Sequence, residues 1–186
     1  TFAISLLIIA SITYINPSIK DRNISHTLNQ MGMNNDSDNI ILFSEDHQNY
    51  ALTSFKIFKE NIYFGAGPNT YRISCQEKIY AFNEKSCSTH PHNTYLQLSS
   101  EIGLIGTIPI VFLFFVIIIK SANHLYSKIF LNKNPLSDYQ ICLLSCFVLT
   151  LWPLLPTQNF FNNWINVIYF LPLGFYLYSL NINKKV

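Results

Sequence analysis

Two histidines separated by a proline, His90 and His92, are the residues best suited to acid–base chemistry. Thr94 and Gln97 have the spacing of a capping box, so a helix is predicted to begin near Asn93 or Thr94. The free N–H groups and positive dipole of a helix start favour an anion such as phosphate and disfavour a protonated imidazole. His92 could therefore be a base beside a phosphate-linked donor. Ordinary loop or cap roles for both histidines are the alternative.

A second set of residues could bind substrate. Arg72 follows the turn Gly65-Ala66-Gly67-Pro68, and a guanidinium can hold phosphate oxygens in a bidentate manner. It could equally be a solvated loop charge. The Gly-x-Gly pattern alone is a weak nucleotide-loop signal, because it neither follows a predicted strand nor opens a helix. Glu101, near a predicted membrane boundary, is interpreted as a helper acid or as a snorkelling surface residue.

The cysteines fall into two pairs of different kinds. Cys75 and Cys87 lie in a predicted outer loop, where an oxidising compartment favours a disulfide worth about 3 kcal/mol. The alternative is a metal site formed by these cysteines with His90 and His92, although the spacing matches no standard zinc pattern. The other pair lies in an apolar segment and is predicted to serve packing alone.

The elements that must position these residues are membrane helices. Charged residues make up 12% of the chain, against roughly 25% in typical soluble domains. From Tyr139 to Asn183 there is no Asp, Glu, Lys, Arg or His. In helical form, a run of that length is long enough for two crossings of a ~30 Å hydrocarbon core. The sequence therefore predicts an all-α polytopic membrane protein. Its four predicted transmembrane helices are residues 1–16, 104–120, 139–156 and 165–181.

The start of the chain is itself apolar. It lacks a basic leader and a small-residue cleavage site, which argues against a signal peptide. Residues 1–16 are therefore expected to be a truncated transmembrane helix, and the chain a C-terminal fragment of a larger membrane protein.

Lysines set the predicted orientation. They occur in the loop 121–138, at its edge and in the tail 182–186, whereas the turn 157–164 carries no charge. By the positive-inside rule the loop and the tail are cytoplasmic and the turn is outside. Counting back through the helix 104–120 places the long loop 17–103 outside as well.

The long outer loop is predicted to have two parts. Residues 17–48 are polar without a clear period and are predicted to be irregular. Residues 50–63 are predicted to form an amphipathic helix that lies on the outer membrane surface or packs on the bundle. Its apolar face would consist of Ala51, Leu52, Phe55, Phe58 and Ile62.

Several of these motifs, taken in order, resemble the O-antigen ligase and O-antigen polymerase family of bacterial inner-membrane glycosyltransferases. The motifs are Phe64-Gly-Ala-Gly-Pro-Asn-Thr-Tyr-Arg72, Cys75, Cys87-Ser-Thr-His-Pro-His-Asn-Thr-Tyr-Leu-Gln-Leu98 and Glu101-Ile-Gly-Leu-Ile-Gly106. The similarity is close over roughly residues 45–125. It implies a fold of the lipid-linked-sugar (GT-C-like) glycosyltransferase type, with a large periplasmic loop over the active site.

The resemblance also implies a reaction. Members take a glycan from undecaprenyl diphosphate and pass it to an acceptor hydroxyl, which is lipid A-core for ligases and the next repeat unit for polymerases. The reaction is expected to be metal-independent, to need no cofactor and to invert the anomeric carbon. Besides donor and acceptor, the implied partners are membrane lipids.

Residue roles carry over by position. His92 would activate the acceptor and His90 would support it. Substrate contacts are expected from Arg72, His47, Asn93 and Glu101, and structural roles from Gly65, Gly67 and Gly103. One departure concerns the loop helix: many members carry an arginine just before it, where this chain has His47.

Other classes of function are less well supported. A non-catalytic transport component predicts ionisable residues inside the membrane helices, and the apolar runs after residue 103 have none. A metal-dependent hydrolase using His90 and His92 is a third possibility. Nucleic-acid binding is not expected, because the net charge is only +2 and no basic stripe is present.

Overall fold

The computed structural model describes residues 2–30 and 44–182, and over these residues it is helical with no strand. The helices are α1 (Phe2–Ile15), α2 (Pro17–Lys20), α3 (His26–Gln30), α4 (Glu45–Glu60), α5 (Tyr71–Ser74), α6 (Thr94–Phe130), α7 (Asp138–Thr150) and α8 (Asn163–Ile182), with a π-helical stretch at Asp21–Ser25. The chain forms two compact units, residues 1–49 and residues 50–186. Most of the lysine-bearing tail 182–186 lies outside the described residues.

The first unit corrects one prediction. Residues 17–30 are helical, as is the start of α4, so the expectation that residues 17–48 are irregular is wrong for these parts. The side-chain oxygen of Asn16 accepts hydrogen bonds from the N–H groups of Ser18 (3.1 Å) and Ile19 (3.4 Å), and Pro17 occupies the first helical position. Asn followed by Pro is a helix-start signal, and it operates without apolar periodicity.

Helix α4 begins and ends earlier than the predicted 50–63, and a different face is buried. Thr53, Ser54 and Ile57 are buried, whereas Phe55 of the predicted apolar face is 49% exposed. Ile57 packs in a small cluster with Tyr71 and Cys75. The buried Ser54 hydroxyl is satisfied by donating to the Tyr50 carbonyl (2.8 Å).

Helix α6 is the longest element and is broken once. Gly103 has φ 63° and ψ −166°, so residues 94–102 and 104–130 are two helical pieces joined at this residue. Within the described residues, α6 is the one helix long and apolar enough to cross a membrane. That the four predicted segments cross a membrane stays a prediction.

The second piece of α6 packs with α7 and α8 around an apolar core. Its buried members are Phe114, Ile117, Leu144, Phe147, Leu151 and Tyr176. Two polar links cross the same bundle, since Gln140 donates from Nε2 to Ser179 Oγ (3.1 Å) and Lys120 donates to the Tyr176 hydroxyl (3.4 Å). The bundle thus holds the second piece of α6 in place, and residues 94–102 extend from it.

Two helix ends differ from the predicted ones. Helix α6 continues to Phe130, so much of the predicted loop 121–138 is helical. Helix α7 ends at Thr150, earlier than the predicted 156, with Leu151 as its C-cap. A proline disfavours helical backbone at the residue before it. Pro153 acts in this way on Trp152, which explains why the helix stops here. The connection from α7 to α8 therefore comprises residues 151–162.

Candidate active site

His90 is buried beneath the start of α6, with 5% of its surface exposed. Its Nε2 lies 3.1 Å from the carbonyl oxygen of Thr157, and its Nδ1 lies 3.0 Å from the hydroxyl of Thr89. A carbonyl can only accept, so Nε2 carries the proton and Nδ1 accepts from the hydroxyl. Burial lowers the pKa of His90, and the hydrogen bond to Thr157 offsets part of that lowering. His90 is therefore a neutral imidazole with two hydrogen bonds, suited to holding the adjacent His92 ring in place.

His92 has a backbone conformation that few non-glycine residues adopt, with φ 55°. The left-handed region costs an L-residue about 1–2 kcal/mol, and such residues gather at functional sites. The ring lies against the ring of His90 (centroids 4.2 Å apart) and near that of Tyr50 (5.6 Å), with Nε2 3.2 Å from Ser88 Oγ. Unlike His90, His92 is only half-buried. It is thus presented by a strained backbone at the edge of the packed region.

The helix starts where predicted, but its cap is different. Asn93 is the N-cap, and its side-chain oxygen accepts from the N–H groups of Tyr95 (3.0 Å) and Leu96 (3.1 Å). Its side-chain nitrogen donates to the Pro153 carbonyl (2.7 Å). The predicted capping box of Thr94 and Gln97 is wrong, because an asparagine one residue earlier takes the cap. The predicted substrate contact from Asn93 has to compete with these three bonds.

Thr94 and Gln97 make contacts that the sequence did not predict. Thr94 donates to Thr157 Oγ1 (2.9 Å). Gln97 donates to Asn159 Oδ1 (2.8 Å) and accepts from the N–H of Phe160 (2.9 Å). Thr157 and Asn159 were not candidate residues. The turn 157–164 is rich in amide side chains, but no local sequence pattern indicates which distant residue each amide binds.

Glu101 is wholly buried, 1% exposed, so the snorkelling interpretation is wrong. Its carboxylate accepts from the backbone N–H groups of Tyr71 (2.8 Å) and Asn69 (3.0 Å) and from Gln97 Nε2 (3.1 Å). Three N–H donors occupy most of the roughly four acceptor sites of a carboxylate. Glu101 thereby fastens the segment that carries Arg72 to the helix that begins after His92.

Gly65 and Gly103 allow two stretches of backbone to touch. The N–H groups of Ala66 and Gly67 donate to the carbonyls of Ser100 (2.9 Å) and Glu101 (2.8 Å), and those of Leu104 and Ile105 donate to Ile62 (2.8 Å) and Tyr63 (3.2 Å). These bonds satisfy groups that a broken helix leaves unpaired. A Cβ on either glycine would lie closer than 3.0 Å to backbone atoms of the other stretch, and both residues have positive φ.

Gly67 is the third predicted structural glycine. Its φ of 116° is accessible only to glycine without strain. Thr70 donates from Oγ1 to the Gly67 carbonyl, which closes the turn leading into α5.

Arg72 lies on α5, directly after Tyr71, and its side chain is exposed. It is close enough to Glu101 to interact with it electrostatically. Among the described residues it makes no hydrogen bond or ring contact with His90 or His92. The structure thus brings the two histidines together and places Arg72 on a separate segment tied to the same helix.

A disulfide joins Cys75 to Cys87, with Cα atoms 5.2 Å apart. Cys75 packs with Ile57 and Tyr71, and the Tyr71 hydroxyl donates to the Ser86 carbonyl (3.0 Å). Burial raises the pKa of Tyr71, which therefore stays a donor. Sulfurs joined in this disulfide offer no thiolate ligand to a metal ion. In the part of the chain described, no cluster of His, Cys, Asp or Glu could hold a metal ion.

His47 lies in the first turn of α4. Its Nδ1 is 2.7 Å from Ser44 Oγ, and its N–H donates to the same oxygen (3.4 Å). These are the contacts of a helix cap. A contact between His47 and substrate stays a prediction.

Comparison with known proteins places these residues in context. A family model described as O-Antigen ligase matches residues 2–111. The match includes Arg72, His90, His92 and Glu101 and ends before the turn that holds Thr157 and Asn159. No significant match was found to a curated protein or to a solved structure.

Proposed function

Because the chain belongs to the O-antigen ligase family, we propose that it moves a glycan from undecaprenyl diphosphate to an acceptor hydroxyl at the periplasmic face of the bacterial inner membrane. Members of this family are glycosyltransferase-like enzymes, and the family implies a lipid-linked glycan donor and a polysaccharide acceptor in general. The acceptor is lipid A-core if the protein is a ligase and the next repeat unit if it is a polymerase.

The observation that carries the proposal is the placement of His92. Its half-buried ring stands immediately before the capped N-terminus of α6, on a strained backbone held by Thr157. As base, His92 would take the proton of the acceptor hydroxyl while the acceptor oxygen bonds to the anomeric carbon. The bond from that carbon to the diphosphate breaks, and undecaprenyl diphosphate leaves with the electron pair. One displacement of this kind inverts the anomeric carbon.

Arg72 supplies the charge that the leaving group needs. Its exposed guanidinium can form bidentate bonds to phosphate oxygens. Its backbone is held by Glu101 through the adjacent Tyr71 N–H (2.8 Å). We assign it, rather than a metal ion, to the donor diphosphate. Further substrate contacts from His47 and Asn93 belong to the same proposal, as does support of His92 by His90. The expected substrate contact from Glu101 is replaced by a structural role, since its carboxylate is buried and holds the Arg72 segment.

The surface of α6 supports the membrane setting. Between Gly103 and Lys120 the helix is mainly apolar on its buried side, at Phe114 and Ile117, and on its exposed side, at Phe112 and Phe115. A helix that is apolar all round suits lipid contact. We therefore propose four membrane-spanning helices, with the loop 17–103 and the turn between α7 and α8 on the periplasmic side.

The test is glycan transfer by the complete protein in membranes, with an undecaprenyl-diphosphate-linked glycan and an acceptor glycolipid. His92→Ala should lower transfer about 10²- to 10⁴-fold, as expected for loss of a general base. The control is His26→Ala, because His26 is an exposed histidine on α3. Equal amounts of inserted, disulfide-bonded protein must be compared. Wild-type transfer by His92→Ala would remove His92 from the reaction, and no transfer by the unmodified protein with either acceptor would refute the proposed function.

A further inference from the structure

The turn between α7 and α8 is bonded to the start of α6 at several points. The Thr157 carbonyl accepts from His90 Nε2 (3.1 Å), and the Thr157 N–H donates to the His92 carbonyl (2.9 Å). The backbone N–H and carbonyl of Thr157 thus bond to residues on both sides of Pro91. A third bond joins the Thr94 hydroxyl to Thr157 Oγ1 (2.9 Å). The His-Pro-His segment is therefore shaped by a residue far along the chain.

Asn159 makes the second connection, and it reaches two segments at once. Its Oδ1 accepts from Gln97 Nε2 (2.8 Å) and from the Phe161 N–H (2.9 Å), and its Nδ2 donates to Asn69 Oδ1 (3.3 Å). Gln97 belongs to the helix that starts after His92. Asn69 belongs to the segment that leads to Arg72. Asn159 is therefore bonded to both segments that carry the proposed chemical groups.

The same two segments are also joined through Glu101. Gln97 donates to Glu101 Oε2 (3.1 Å), and Glu101 accepts from the N–H groups of Asn69 and Tyr71. Asn159, Gln97, Glu101 and Asn69 thus form a closed circuit of hydrogen bonds. Gln97 and Glu101 are wholly buried within it. A buried network in which each member is satisfied has one favoured geometry, because any displacement leaves a polar group unpaired.

We infer that Asn159 is a positioning residue that sets the distance between the base at His92 and the phosphate-binding Arg72. This rests on the proposed function, since it names the device that aligns the two groups. Asn159 itself touches neither reacting atom. Its effect comes through alignment, and a displacement of about 1 Å can cost roughly 100-fold in rate. Each group keeps its own contacts when Asn159 is removed, so donor binding in the ground state is little changed.

The inference is tested by the kinetics of Asn159→Ala in the complete protein, with the donor concentration varied. The expected result is a 10- to 100-fold fall in kcat, with the donor KM changed less than threefold. The matched control is Gln158→Ala, because Gln158 is the adjacent amide and is exposed. It should behave as wild type. Unchanged kcat in Asn159→Ala would overturn the inference.

Two further variants separate positioning from simple loss of folding. Gln97→Ala combined with Asn159→Ala should lower kcat no more than the more damaging single change, because both act through one network. Fully multiplicative losses would overturn the inference. If Asn159→Ala does not accumulate, Asn159→Ser, which keeps an acceptor oxygen, takes its place. Its kcat per folded molecule should again fall at least severalfold, and a wild-type kcat would overturn the inference.

The outcomes also distinguish this inference from the proposed function. If the unmodified protein transfers glycan, His92→Ala does not, and Asn159→Ala equals wild type, only the positioning role fails. If the unmodified protein transfers no glycan, the proposed function fails, and the positioning role fails with it.

Discussion

The two pieces of α6 on either side of Gly103 are held by different forces. Before Gly103 the buried side chains other than Leu98 are polar: Thr94, Gln97, Ser100 and Glu101. Each is hydrogen-bonded, and most of the partners belong to distant segments. After Gly103 the buried Phe114 and Ile117 pack with α7 and α8 in an apolar core, and the buried polar residues are Thr107 and His124.

This difference indicates that the two pieces of α6 have different roles. Apolar packing is nearly non-directional and tolerates small shifts, whereas hydrogen bonds prescribe distance and angle. The apolar piece provides a stable base. The polar piece determines where His92 and the Arg72 segment lie. Substitutions in the apolar piece should therefore act mainly on stability, and substitutions in the polar piece mainly on activity.

The largest effect is expected at the junction between the two pieces. Gly103→Ala places a Cβ closer than 3.0 Å to the Tyr63 backbone, at a residue with φ 63°. The positive φ alone costs about 1–3 kcal/mol, and the collision adds to it. We expect a loss of stability above about 3 kcal/mol and no transfer activity, measured by thermal unfolding and by the transfer assay.

The matched control is Gly174→Ala in α8, where an added Cβ meets nothing within 4 Å. Because alanine is a better helix former by about 1 kcal/mol, this change should be neutral or stabilising. A Gly103→Ala protein as stable and active as Gly174→Ala would mean that the two backbones do not touch as described.

The apolar piece gives the second prediction. Leu144 of α7 is buried in the core shared with α6. Leu144→Ala should destabilise the protein by about 2–5 kcal/mol, as large-to-small core changes do. Activity per folded molecule should stay near that of wild type. The exposed Leu149→Ala is the control and should change stability far less. A Leu144→Ala protein that is fully folded but has lost kcat would contradict the division between the two pieces.

The smallest effect is a pH dependence at His90. Burial lowers its pKa in the folded protein, so the unfolded chain binds a proton more readily. Its contribution to stability is therefore fully present above the ordinary His pKa of about 6.5 and is lost as the pH falls below that value. Protonation at Nδ1 would remove the acceptor for Thr89, whereas the bond from Nε2 to Thr157 can persist.

Thermal unfolding of wild type and His90→Gln between pH 5 and pH 8 measures this effect. The wild type should lose more stability than the variant on acidification. The same slope in both proteins would show that His90 is not buried as a neutral imidazole.

How much the sequence predicted varies from element to element. The start of α6 near Asn93 was predicted because helix-start signals act over a few residues. The same reasoning chose the wrong cap, since Asn93 and Thr94 are both good caps and only their backbone geometry distinguishes them. Within the protein, α4 buries Thr53, Ser54 and Ile57 and leaves Phe55 exposed, because periodicity reports which face is apolar and not which face meets the rest of the protein. That the apolar face lies on the membrane surface stays a prediction.

The sequence by itself determined the apolar segments, the start of the long helix and the family, because these depend on composition and on short, ordered motifs. The tertiary structure alone decided that Gly65 contacts Gly103 and that Glu101 is buried. It also decided that Thr157 holds the His-Pro-His segment and that Asn159 binds Gln97 in the helix after it. Such partners lie far apart in the chain; Gln97 and Asn159 are 62 residues apart, and His90 and Thr157 are 67. A hydrogen bond across that distance leaves no local pattern, because either residue would look the same in an exposed turn.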